Sequence, residues 1–155
     1  MSGNAPKIDL PQLPLARVAI ISSSWHLDIC NDLVAGAQRA LTAAAIKDVE
    51  VIYVPGSFEI PLAAQIAFEK GFNAVVAVGL VLEGETPHFD HVCQGVTQGV
   101  MDVSLKFSSP IGFGVLMCNT LDQAIARSGR PGSSEDKGYD SAIAAIELLH
   151  LRNKN

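Results

Sequence analysis

Aromatic side chains make up only 6% of this 155-residue chain, with one tryptophan, and charged side chains only 17%. Cysteine occurs three times, at Cys30, Cys93 and Cys118, without a CxxC pair. That excludes a zinc ribbon or a redox dithiol and predicts reduced thiols in a cytoplasmic protein. Basic runs are missing as well. Acidic residues outnumber basic ones by 16 to 11 for a net charge of −5, so neither nucleic acid nor an anionic membrane surface is an expected partner. No apolar run approaches the length of a membrane helix: Ala74 to Leu82 spans only nine residues, and Asp9, Pro11 and Pro14 break the first fifteen. Neither a membrane span nor an export signal is expected.

What the chain has is apolar bulk. Hydrophobic residues make up 48% and the mean hydropathy is +0.28, enough for one large core and more than a monomer of this size hides easily. The expected organisation is a Pro-punctuated arm, 1–15, and a single domain, 16–155, whose apolar excess is covered by subunit contacts.

Val18 to Ile21 is short, apolar and stopped by three serines, as a strand covered on both faces would be, so the first strand is placed at about 16–23. Leu33, Ala37, Ala40, Leu41 and Ala44 recur at helical spacing and predict a helix over 27–45. A second strand over 49–54 leads to the breaker pair Pro55-Gly56, and a helix over 59–70 carries Pro61 in its first turn. A third strand spans 74–82. Phe89, Val92, Val96, Val100, Val103 and Phe107 then mark one face of a helix that ends near 107. A fourth strand over 110–115, a short helix around Ala124 and Ile125, and a terminal helix marked by Ala142, Ile143, Ile146 and Leu149 complete the chain. Strands alternating with helices, each strand apolar on both faces, predict a doubly wound parallel α/β sheet with ligands beyond the strands' carboxyl ends.

Several residues at that edge bear on chemistry, each with two readings. Trp25 is either a core or interface aromatic or a stacking wall for a flat heterocycle. Ser57 and Glu59 either cap the helix that follows or bind a polyol. Gly84 to Asp90 sets a glycine, a hydroxyl and free N–H groups ahead of a helix, an anion site without either nucleotide-binding glycine pattern. His88 is either structural or a proton carrier. With His91 it forms an i, i+3 pair, but no third ligand is spaced for zinc, so no metal is expected. Arg127 and Lys137 flank a Gly/Ser-rich loop, where surface charge is the plain reading.

The segments VPGSFEIPLAA (54–64), GETPHFDHV (84–92) and GFGVLMCNTLDQAIAR (112–127), in this order, resemble the 6,7-dimethyl-8-ribityllumazine synthase family over about residues 16–152. The resemblance implies a flavodoxin-like three-layer fold, a four-stranded parallel sheet with helices on both faces. It also implies the penultimate step of riboflavin biosynthesis, without a cofactor. Carried onto this sequence, it gives Trp25 the stacking role against the pyrimidinedione, Gly56, Ser57 and Glu59 the ribityl chain, and Val81 and Leu82 backbone contacts to the ring. Glu85 and Thr86 would hold the phosphate with Arg127 of a neighbouring subunit. The neighbour's Phe113 would close over the ring, Lys137 would stand near the pocket, and His88 would move protons.

Family members form pentameric rings, and some close into shells. The connection from Ser128 to Lys137 is long and contains Pro131, so an isolated homopentamer with shared sites is expected. Glu83 stands where many members have a basic residue and is expected to turn away from the phosphate or pair with a lysine. The alternative to an enzyme is a non-catalytic flavin- or lumazine-binding or cage-forming protein of the same fold.

Overall fold

The computed structural model describes residue 3 and residues 9–154. Of the predicted arm, residues 9–15 fall within it, and the others lie outside the described residues apart from Gly3. The chain forms β1 (Arg17–Ser23), α1 (Leu27–Ala43), β2 (Asp48–Val54), a 3₁₀ turn (Ser57–Glu59) and α2 (Ile60–Glu69). It continues as β3 (Ala74–Leu82), α3 (His88–Phe107), β4 (Ile111–Cys118), α4 (Leu121–Arg127) and α5 (Lys137–Asn153). The four strands pair in parallel in the order β2-β1-β3-β4, so the fold class expected from the sequence is the one observed.

Alternation along the inner strands builds two cores. Val18 and Ile20 of β1, with Val76 and Val78 of β3, meet Leu33, Ala37 and Leu41 of α1 and Ile146 and Leu149 of α5. Ala19, Ile21, Val75 and Ala77 point the other way, onto Ile60, Ala64 and Phe68 of α2 and Val96, Val100 and Val103 of α3. Because successive side chains point to opposite faces, strands covered on both sides read as continuous apolar runs. From β2 the chain passes over β1 to reach β3, and the crevice opens where the connections diverge, at the carboxyl ends of β1 and β3.

Two element ends carry no mark in the hydrophobic pattern. β4 continues past Val115 because Met117 and Cys118 pair with Val81 and Leu82, and the Glu83 N–H closes the ladder on the Cys118 carbonyl at 2.9 Å. α5 starts at Lys137, well before its first strongly apolar residue. Asp136 caps it, accepting the Tyr139 N–H at 3.1 Å, and its first turn buries Gly138 and Ser141. Small buried residues leave no mark in a hydrophobic pattern.

The end of α1 is tied down from two directions. Its last turn finishes in Ala45 at φ 60, with Ile46 N–H donating to the Leu41 carbonyl at 3.0 Å. Gln12 Nε2 and the Leu13 N–H donate to the carbonyls of Ala43 and Ala44. Outside the two cores, α2 and α3 still expose Leu62, Ile66, Met101 and Leu105.

α5 approaches α1 so closely that a Cβ on Gly138 would drive into the backbone of Leu33, whose carbonyl cannot swing aside. Gly138→Ala is expected to destabilise the fold by about 1–3 kcal/mol, the cost of overpacking. A lowered midpoint of denaturant unfolding at unchanged slope checks this, and an unchanged midpoint contradicts the close approach.

Candidate active site

β1 ends in a turn fastened at several points. Ser22 and Ser23 are fully buried, and the Ser23 hydroxyl accepts the Trp25 N–H at 3.2 Å. Ser24 donates its hydroxyl to the Val54 carbonyl at 2.9 Å, joining the ends of β1 and β2. Cys30, on the first turn of α1, donates its thiol to the Trp25 carbonyl at 3.2 Å. Burial pushes the Cys30 thiol up from its usual range, against the lowering effect of its hydrogen bonds to Ser22 and Ser23, which keeps it a donor. The backbone of residue 25 is thus held from both sides, while Trp25 as a whole stands 67% exposed. His26, at φ 52, turns the chain into α1.

Opposite the indole lies the turn after β2. A Cβ on Gly56 would sit 3.1 Å from Glu59 Oε2 and 3.2 Å from Trp25 Cδ1, so glycine is what lets carboxylate and indole converge there. The capping reading of Ser57 and Glu59 is not met in the structure. Neither the 3₁₀ turn nor α2 has a side-chain cap hydrogen bond at its start. Ser57 is 4% exposed and its hydroxyl has no hydrogen-bond partner. It lies so near β3 that a Cβ on Gly79 would be 2.6 Å from it. Leaving a buried hydroxyl unpaired costs about 1–3 kcal/mol, which a ligand hydroxyl can recover.

α3 closes the third side. His88 opens this helix, and its N–H lies 3.4 Å from the Thr86 hydroxyl across the preceding loop. Together these walls enclose a cavity of about 670 Å³. The structure brings Trp25, Gly56, Ser57, Glu59, Val81, Leu82 and His88 to its lining, all of them residues singled out in the sequence. It adds His26, Phe58, Leu80, Glu83, His91 and Val92. The spacing of His91 from His88 could have placed His91 there, since residues three apart share a helix face; His26 and Phe58 gave no periodic signal. Among the described residues, no group of three or more His, Cys, Asp or Glu is arranged to hold a metal ion.

The remaining predicted residues are not gathered into this cavity. Glu85 and Thr86 sit exposed on the adjoining loop. Phe113 lies mid-strand in β4, paired with Ala77 and 41% exposed. Arg127 ends α4 and Lys137 begins α5, and both pair with Glu135, at 3.5 and 3.2 Å. Glu83 also lines the cavity, its N–H donating to the Cys118 carbonyl, and no lysine pairs with its carboxylate among the described residues. The lining therefore holds two carboxylates and three imidazoles but neither lysine nor arginine.

A family model described as 6,7-dimethyl-8-ribityllumazine synthase matches residues 15–153. The chain is similar to proteins of that name from several bacteria. It is 48% identical over 147 residues to the one from Streptomyces coelicolor, covering 94% of this chain and 91% of the relative. It is 49% identical over 152 residues to that of Pseudarthrobacter chlorophenolicus, with 94% of each covered. With that of Mycobacterium sp. (strain KMS) the identity is 47% over 148 residues, covering 94% and 92%.

Gly56 has φ −146 and ψ 175, open to any residue, so a larger side chain there acts on its neighbours and not on the backbone. Gly56→Val is expected to displace the only indole in the chain and change its fluorescence emission, with little change in melting temperature. An unaltered emission spectrum would contradict the packing of Trp25 over this glycine.

Proposed function

The chain belongs to the 6,7-dimethyl-8-ribityllumazine synthase family and is an enzyme of riboflavin biosynthesis, and from that premise we propose how its residues divide the work. The reaction joins 5-amino-6-ribitylamino-2,4-pyrimidinedione to 3,4-dihydroxy-2-butanone 4-phosphate. The pyrimidinedione stacks on Trp25 and takes backbone contacts from Val81 and Leu82. Its ribityl chain lies along Gly56, Ser57 and Glu59. The observation that carries this assignment is the buried, unpartnered Ser57 hydroxyl beside the uncapped Glu59, two polar groups free for a polyol.

The amine of one substrate attacks the ketone of the other, water leaves to form an imine, phosphate is eliminated, and ring closure releases a second water. Each step transfers protons, and His88 at the cavity wall is placed to carry them. Holding two reactants in register supplies much of the remaining acceleration. Glu85 and Thr86 on the rim take the phosphate. A dianion also calls for a cation, and the lining offers none. That gap supports a shared site, in which Arg127 and Phe113 come from the neighbouring subunit of a homopentamer and Lys137 stands close by. The exposed apolar residues of α2 and α3 are consistent with the contacts such a ring needs. The same reading treats residues 16–155 as one cytoplasmic catalytic domain, with residues 1–15 as an arm.

His88→Ala is expected to lower kcat by about 10²-fold, the low end for a general acid-base group, with KM for both substrates nearly unchanged. Steady-state assays following lumazine absorbance read both constants, and an unchanged kcat removes the role. Mixed oligomers of His88→Ala and Arg127→Ala chains are expected to be more active than either parent, since some sites pair an intact cavity with an intact arginine. Light scattering should give five times the 16.4 kDa chain mass. Mixtures no better than their parents would mean that each chain completes its own site.

A further inference from the structure

The loop between α4 and α5 is stitched back onto the end of α4. The Glu135 N–H donates to the Ala126 carbonyl at 3.0 Å, and the Glu135 carbonyl accepts the Gly129 N–H at 3.1 Å. The hydroxyls of Ser133 and Ser134 donate to the carbonyls of Ile125 and Ala126. Carbonyls at the end of α4 that would otherwise need water are thereby satisfied, and the backbone of residue 135 is fixed. A second set of bonds ties the loop to α1: Arg130 Nε lies 2.8 Å from Asp32, and Arg39 pairs with Asp136 at 2.5 Å.

From this fixed backbone the Glu135 side chain, 20% exposed, reaches between two cations. Oε2 lies 3.5 Å from Arg127 Nε, and Oε1 lies 3.2 Å from Lys137 Nζ without making a well-formed hydrogen bond. Arg127 also donates Nη1 to the Gln123 carbonyl at 2.9 Å. Lys137 has a second carboxylate, Asp140, at 3.6 Å. Two cations therefore face two carboxylates, and the cluster has no net charge. An arginine held at Nε by one anion and at Nη1 by a carbonyl still has N–H groups to offer a second anion, but it offers them beside a negative charge.

We infer that Glu135 is a positioning residue that sets how tightly Arg127 grips phosphate, aiming its side chain while weakening its hold on the anion. The inference rests on the assignment of Arg127 to the phosphate of the butanone substrate. It carries a purpose for the turnover: phosphate is also a product, and an arginine without an opposing carboxylate would retain it.

The test is inhibition by inorganic phosphate, competitive with the butanone phosphate, in the assembled enzyme. Glu135→Gln keeps the shape and removes the charge. It is expected to lower the phosphate inhibition constant about three- to fivefold, the scale of a partly exposed ion pair, with KM for the pyrimidinedione unchanged. A carboxylate that only supported the loop would give the opposite sign, a weaker site for both substrates. Should Glu135→Gln fail to assemble, Glu135→Asp withdraws the charge by one methylene and is expected to lower the constant by a smaller factor. An inhibition constant that stays put or rises, while Arg127→Ala abolishes phosphate inhibition, overturns the role of Glu135 and leaves that of Arg127 standing. Phosphate inhibition that survives in Arg127→Ala overturns both and locates the failure in Arg127.

Discussion

β1 and β3 lie side by side and must be dry on both faces, and from that constraint most of the architecture follows. Ile20 and Val76 call for helices on one side, Ile21 and Val75 for helices on the other, so α1 and α5 occupy one layer and α2 and α3 the opposite one. Connections that leave β1 and β3 toward opposite layers cannot cover the gap above the strand ends. The cavity occupies that gap. Its position is thus a product of the sheet order β2-β1-β3-β4 before any side chain in it is considered.

The side chains are then aimed by short hydrogen-bonded turns. Ser23 and Cys30 hold the backbone of Trp25, and Ser24 ties that turn to the end of β2. With both turns fixed, Gly56 lets the indole and Glu59 face each other. The polar groups left over, the Ser57 hydroxyl and the Glu59 carboxylate, are uncommitted within the chain because no helix start uses them.

How much of this could be read in the sequence depended on whether a residue's role left a periodic or compositional trace. The strands announced themselves through β-branched runs, and α1 and α3 through their apolar stripes. α5 did not show its first turn, because Gly138 and Ser141 pack through smallness. The end of β4 was missed because Met117 and Cys118 are ordered by pairing with β3, a partner distant in sequence. In the site, the motif segments delivered Gly56, Ser57, Glu59 and His88, and the edge of the first strand delivered Trp25, to one cavity. Glu83 joins them in the lining with its N–H on the Cys118 carbonyl, a pairing that spacing along the chain does not reveal.

Ala45 ends α1 in the left-handed region, where an L side chain crowds the following carbonyl and glycine is the usual occupant. The scaffold tolerates that strain at the sheet end remote from the cavity, next to Ile46 and Lys47, at the amino-terminal side of β2. Glycine at this one position would relieve on the order of 1 kcal/mol of backbone strain, set against the extra freedom it gives the unfolded chain. The backbone at Ala45 can therefore be relaxed without touching the cavity lining, because the strained residue and the cavity sit at opposite ends of the strands.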